Sequence, residues 1–218
     1  MNINRLVELI LTDRGKLCNI EVYIIYHKEK IMSKKLFCII GPSGSGKSTY
    51  VSYARKETGY GEIISTTTRI PRIGEVNGKD YHFVTREEFE KIPMIEVDEY
   101  SGNLYGTAQK DLDHAYVNSQ CAFMVITYEG AESFKKLFKE LNLDIEVITI
   151  FVYTPIEELE KRMIHRGDHL EKVKERIQNI KNRKEYENKD KVDYIFEVDV
   201  NQTIEDVCQL FVKLIKSI

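Results

Sequence analysis

Nine residues constrain the rest of the chain: Gly41-Pro42-Ser43-Gly44-Ser45-Gly46-Lys47-Ser48-Thr49. Their spacing fits G-x-x-x-x-G-K-[ST], and the flanking sequence is what that pattern needs. Ahead of it, Lys35-Leu36-Phe37-Cys38-Ile39-Ile40 is a short apolar run that reads as a buried strand. Behind it, Tyr50 to Thr58 contains neither Gly nor Pro and reads as a helix that Gly59 stops. Glycines let the backbone wrap so that successive N–H groups converge on a polyphosphate, and the positive end of the following helix adds to the attraction. Lys47 would reach the β- and γ-phosphates, and the Ser48 hydroxyl would ligate a Mg²⁺ bound to the nucleotide. A Gly/Ser-rich turn ahead of a helix is the plainer alternative. Strand, loop, Lys-Ser and helix in that order favour a nucleoside triphosphate site.

At 218 residues the chain has room for one α/β core with smaller inserts and is short for two independent domains. A formal charge of −3 argues against a general polyanion binder, so nucleic acid is not an expected partner and any anion site must be local. Cys18, Cys38, Cys121 and Cys208 are scattered, with no C-x-x-C pair, which points to reduced thiols in a cytoplasmic protein. Residues 1–31 could hold a short amphipathic helix from Asn2 to Leu11 and a strand from Ile20 to Tyr26. Glu8, Asp13, Arg14 and Lys16 interrupt any long apolar run, so neither a signal peptide nor a membrane span is expected. The segment reads as an appendage or an over-extended start ahead of Met32.

After the first helix, Glu62 to Arg72 reads as a short strand running into a polar loop with two arginines, Arg69 and Arg72, where Pro71 blocks a helix. Glu75 to Asp80 is a turn cluster and Tyr81 to Val84 a strand. Thr85 caps a short helix to Lys91, with Glu88 in capping-box position. Met94 to Val97 is a further strand, and Ser101-Gly102-Asn103 turns the chain into Leu104 to Thr107. Strands this short and close make a small β-rich insert. Cys121 to Thr127 then reads as a buried parallel strand, Ala131 to Leu141 as a helix and Ile145 to Val152 as another buried strand. Pro155 opens a helix. Ile156 to Lys191 reads as two charged helices broken at Gly167, Tyr194 to Val198 as a last strand and Ile204 to Ile215 as a closing amphipathic helix. The alternation implies an α/β fold, a parallel sheet with helices on both faces. The core is expected over residues 32–64, 119–154 and 192–218, the insert over 65–118, and a helical lid with its following helix over 155–191.

From about residue 35 to 215 the sequence resembles guanylate kinase, a P-loop nucleoside monophosphate kinase. The specific segments are Ser65-Thr66-Thr67-Thr68-Arg69-Ile70-Pro71-Arg72, then Gly74 to Tyr81, then Ser101-Gly102-Asn103-Leu104-Tyr105-Gly106-Thr107. The resemblance implies that Gly41 to Thr49 bind ATP, with Ser48 on the metal. It implies that Ser65, Arg69, Arg72, Tyr81 and Tyr105 hold the phosphate of GMP, and that Glu96 and Thr107 read its base. Arg162, Arg166 and Arg176 would be lid or near-lid arginines approaching the transferring phosphate, making Lys47, Arg69 and these three the catalytic set. The chemistry is coherent: paired arginines fork onto a phosphate dianion. A carboxylate suits guanine, whose N1–H and exocyclic amine lie side by side, and Thr107 can donate to O6. The implied reaction is phosphoryl transfer from ATP to GMP, or dGMP, giving ADP and GDP, with Mg²⁺ as cofactor.

The sequence departs from the family at Val125 and Thr127, where acids are expected, and at Phe196-Glu197-Val198-Asp199, where an asparagine is expected. Two other readings stay open. One is a guanylate-kinase-like module that binds phosphopeptides in the acceptor site, against which Lys47 and Ser48 both argue. The other is a kinase of the same build acting on a different phosphate, against which Glu96 and the tyrosines argue. His82 and His114 read as surface residues, and Tyr100 and Tyr116 as packing residues. The oligomeric state is open.

Overall fold

The computed structural model describes residues 33–72, 74–100 and 102–218; the expectations for residues 1–31, including Cys18, lie outside the described residues. The chain runs β1 (Lys34–Ile40), α1 (Lys47–Thr58), β2 (Gly61–Glu62), β3 (Thr66–Thr67), β4 (His82–Phe83), α2 (Arg86–Phe89), β5 (Met94–Tyr100), β6 (Asn103–Ala108) and α3 (Gln109–Ala115). It continues through β7 (Cys121–Val125), α4 (Tyr128–Glu140), β8 (Ile145–Tyr153), α5 (Ile156–His165), α6 (Leu170–Asn182), a 3₁₀ turn (Glu185–Lys191), β9 (Tyr194–Glu197) and α7 (Ile204–Ser217).

β1 is the middle of a five-stranded parallel sheet ordered β2-β7-β1-β8-β9. Phe37 and Ile39 pack on one side with Tyr50 of α1 and Phe211 of α7. Leu36, Cys38 and Ile40 pack on the other with Phe134 and Phe138 of α4. Both faces are covered, so the strand shows no polar alternation, as a central parallel strand should. Register then fixes the site. Ile39 pairs with Val125 and Ile40 with Phe151, so the loop after β1 emerges between the C-terminal ends of β7 and β8. Clefts in open α/β sheets form at these ends.

A second sheet, ordered β4-β3-β6-β5, carries parallel β3–β4 and antiparallel β3–β6 and β5–β6 pairs. Thr85 and Glu88 form the reciprocal capping box at the start of α2. In β5 the register shifts between Met94 and Glu96, so that Glu96 rather than Ile95 stands opposite Thr107. That extra residue turns the carboxylate onto the face carrying Thr107.

Three details differ from the sequence reading. The strand expected to reach Thr127 ends at Val125, because Thr127 accepts a hydrogen bond from the Gly130 N–H and caps α4, which therefore starts at Tyr128. The first helix begins at Lys47, so the lysine and Ser48 lie on its first turn. The segment after Gly167 holds a separate 3₁₀ turn beyond α6. Cys38, Cys121 and Cys208 are buried free thiols.

Gly61 fits where a side chain would not: a Cβ there would lie 1.9 Å from the Ala115 carbonyl oxygen. Gly61→Ala is expected to destabilise the protein by about 1–3 kcal/mol in urea unfolding, because backbone must move to admit the methyl.

Candidate active site

An open cleft of about 610 Å³ lies over the ends of β1, β7 and β8 and faces the second sheet. Gly41, Ser43, Gly44, Gly46, Lys47, Ser48 and Thr49 line it; Pro42 and Ser45 are buried behind them. Gly46 sits at φ +96° as the residue before α1, and a Cβ on it would meet the Tyr50 ring at 2.8 Å. Left-handed backbone and aromatic contact together make glycine the residue that fits there. The first turn of α1 holds no acidic side chain and receives no side-chain cap. Its N–H groups, with the positive end of the helix dipole, are left to serve an anion.

Lys47 Nζ donates to the carbonyls of Gly41 (2.7 Å) and Pro42 (2.8 Å), folding back along the loop it belongs to. Burial lowers its pKa to about 8, Glu185 pulls it upward, and the charge of Arg72 lowers it further. That last effect is informative, because it brings an arginine of the polar loop after β3 into electrostatic reach of the phosphate-loop lysine.

Arg72 lines the cleft together with Ser65, Tyr81 and Tyr105. Arg69 does not: its Nη1 and Nη2 each donate to Glu75 at 2.9 Å, and its guanidinium lies over the rings of Tyr81 and Phe83, 5.4 and 5.5 Å from their centroids. Glu75 also accepts from the Arg72 backbone N–H at 2.7 Å and pairs with its guanidinium at 3.5 Å. One carboxylate therefore pins both arginines. Burial pushes the Tyr81 hydroxyl up to about 12, so it stays a neutral donor.

Glu96 lines the cleft and accepts a 2.9 Å hydrogen bond from Thr107 Oγ1. Thr107 is wholly buried, and its single hydrogen is directed at that carboxylate rather than into the cleft. Burial raises Glu96 to about 7, with the Thr107 bond lowering it and the neighbouring Asp98 charge raising it.

From the third side come Arg162 and Arg166. Arg162 Nε donates to Glu158 at 3.1 Å; Asp168 accepts from Arg166 Nη2 (2.5 Å) and from Arg176 Nη1 (2.6 Å). Arg176 does not line the cleft, yet with Arg69 and Arg166 it lowers Arg72, after burial, so its charge bears on the same space.

Several cleft residues escaped the sequence reading. Tyr100, expected only to pack, lines the cleft and donates to Glu185 Oε1 at 3.1 Å. Asp98 and Glu185 line it as well, and so do Arg183 of the charged helical segment and Glu129, beside the Val125 and Thr127 positions in sequence. The period-two spacing of Glu96, Asp98 and Tyr100 on one strand was the available signal for two of them. Tyr116 packs in the core with its hydroxyl on the Lys35 carbonyl, while His82 pairs with Asp111 at 3.2 Å. Val125 and Thr127 line the cleft without charge, and Val198 and Asp199 line it as well.

The fold and cleft define a P-loop α/β nucleotide-binding protein with a second cationic cradle beside the first. A family model described as guanylate kinase matches residues 33–217. The guanylate kinase of Fusobacterium nucleatum is 35% identical over 187 residues, covering 84% of this chain and 96% of that protein. That of Francisella tularensis is 31% identical over 197 residues, covering 85% of this chain and 100% of the relative. The crystal structure of guanylate kinase from Anaplasma phagocytophilum matches with a TM-score of 0.61 at 26% identity, covering 86% of this chain and 88% of that one. The chain belongs to the guanylate kinase family.

Glu75 also gives the arginine loop a pH signature. Burial pushes its pKa up, but the Arg69 hydrogen bonds, the Arg72 N–H and both positive charges leave it below the ordinary carboxylate value. A depressed carboxylate contributes stability that is present above its unfolded pKa and lost as pH falls through the folded one. Glu75→Gln should therefore flatten the decline in unfolding free energy as pH falls below the ordinary carboxylate range, as followed by urea titration at each pH.

Proposed function

We propose that the protein transfers the γ-phosphoryl group of ATP to GMP, giving ADP and GDP. The observation that carries this is one cleft lined by Lys47, Arg72 and Glu96 together, with the Arg72 charge near enough to lower Lys47. Residues 65–118 act as the acceptor-binding insert and 155–191 as the lid over the core. The triphosphate lies along Gly41 to Thr49, where loop N–H groups and the α1 terminus take its oxygens and Lys47 leaves the loop carbonyls for the β- and γ-phosphates. Arg72, Ser65, Tyr81 and Tyr105 hold the acceptor phosphate, with Arg69 bracing the loop through Glu75. An acceptor oxygen attacks the γ-phosphorus, the bond to the β-phosphate oxygen breaks, and ADP carries that oxygen away. The acceptor oxygen is already anionic and needs no general base, so alignment and charge neutralisation supply the catalysis. Arg162 and Arg166, from the lid side, take charge on the transferring group, with Arg176 acting through Asp168.

Among the described residues no group of three or more His, Cys, Asp or Glu could hold a metal by itself. The donor set fits Mg²⁺ that would arrive with the nucleotide, which the exposed Ser48 hydroxyl would help to hold. Such an ion neutralises charge on the β- and γ-oxygens. Among the described residues no helix is long and apolar enough to cross a membrane. The buried free thiols of Cys38, Cys121 and Cys208 support a reducing, cytoplasmic setting.

ADP release from Mg·ATP should depend on GMP or dGMP, with AMP, UMP and ribose phosphate inactive. No ADP from any acceptor would leave a binding module, and a different preferred acceptor another kinase. Lys47→Ala should lose about 3 kcal/mol of transition-state stabilisation, read as kcat/KM; unchanged turnover would remove Lys47 from the mechanism. GMP should bind more tightly as pH rises through about 7, with proton release in calorimetry, because the ionised Glu96 accepts from N1–H and the acid form resists it. Glu96→Gln should abolish that component and leave the titration of the GMP phosphate itself.

A further inference from the structure

In the antiparallel β5–β6 pair, Glu96 stands opposite Thr107 and Asp98 opposite Tyr105. Residues directly opposite share a face, as do alternate residues along a strand. Glu96, Asp98, Tyr105 and Thr107 therefore occupy one face of the small sheet, and Glu96, Asp98 and Tyr105 line the cleft. Val97, between the two acids, is 54% exposed on the opposite face.

Asp98 is held in place and yet not satisfied. Its Oδ2 lies 3.7 Å from Arg183 Nη2, beyond hydrogen-bond range, is shut off from solvent and has no hydrogen-bond partner among the described residues. Arg183 is otherwise engaged, with Nη1 donating to the Glu99 carbonyl at 3.1 Å and the guanidinium over the Tyr100 ring at 4.9 Å. The Asp98 side chain nonetheless lines the cleft and is 26% exposed, so with Oδ2 turned in against Arg183 it is the other carboxylate oxygen that a ligand can meet.

Guanine brings more donors than Glu96 can take. Its edge offers N1–H and both hydrogens of the exocyclic amine. A carboxylate meeting that edge side-on takes N1–H and the nearer amine hydrogen, one per oxygen, and Glu96 Oε1 already accepts from Thr107. The second amine hydrogen is left over, and it points along the base edge away from N1.

We propose that Asp98 is a second base-reading carboxylate, set by Arg183 to accept the amine hydrogen of a guanine that Glu96 leaves unpaired. This deepens the reading of the preceding subsection and rests on it. Glu96 recognises a 6-oxopurine by its N1–H, whereas Asp98 recognises the 2-amino group. Inosine monophosphate carries N1–H without that amine, so it separates the two roles.

The test is calorimetric binding of GMP and inosine monophosphate to the full chain and to Asp98→Ala, Asp98→Asn and Glu96→Gln, with ADP release measured on the same samples. The wild-type chain should prefer GMP. Asp98→Ala should cut the GMP-to-inosine-monophosphate affinity ratio by about tenfold, and Asp98→Asn, which keeps a neutral acceptor, should restore part of it. Glu96→Gln should weaken both nucleotides. A wild-type chain binding the two equally, or a ratio unchanged in Asp98→Ala, overturns the inference and leaves Asp98 as a structural partner of Arg183. Altered binding ratios without any ADP release would uphold the inference while removing the kinase reading.

Discussion

Crowding of positive charge is the constraint from which the rest of the site follows. Lys47, Arg72, Arg162 and Arg166 line one cleft, and Arg69 and Arg176 stand close enough to act on Arg72. Without anions, such a set would push itself apart. Three carboxylates pair with its arginines: Glu75 between Arg69 and Arg72, Asp168 between Arg166 and Arg176, and Glu158 on Arg162. Each aims a guanidinium as well as neutralising it, since a carboxylate fixes the plane of the fork it meets. The cations are thus oriented in advance of the anions that the proposed reaction would bring.

The scaffold makes this arrangement possible by putting rigid backbone under the mobile chemistry. β1 is hydrogen-bonded on both sides, buried on both faces, and delivers the phosphate loop between the ends of its neighbours. The second sheet is small, but its irregularity is purposeful: one extra residue in β5 places a carboxylate opposite a buried hydroxyl. Opposite kinds of order serve the two substrates. In the proposed reaction one would be read by main-chain N–H groups and helix polarity, the other by side chains on a bulged strand.

Much of this was legible in the sequence because the strongest signals are local. The phosphate loop, the flanking strand and helix, the capping box at Thr85 and the apolar runs of β7 and β8 each follow from spacing within a few residues. Thr127 was misread because it follows an apolar run, and only its bond to the Gly130 N–H marks it as the cap of α4. The roles of Glu75, Asp98 and Glu185 could not be read from spacing, since each depends on a partner brought near by the fold. Arg69 and Thr107 each hydrogen-bond a neighbouring carboxylate, contacts that spacing alone does not show. Residue type announced the chemistry; tertiary contact decided which side chains face the cleft and which stand behind it.

Tyr100 joins the edge of the second sheet to the 3₁₀ turn, its hydroxyl on Glu185 and its ring beneath Arg183. Glu185 in turn acts on Lys47. The Tyr100–Glu185 hydrogen bond couples the edge of the small sheet to the carboxylate that raises Lys47. The basicity of Lys47 is thus tied, through Glu185, to a phenol on the same strand as Glu96 and Asp98.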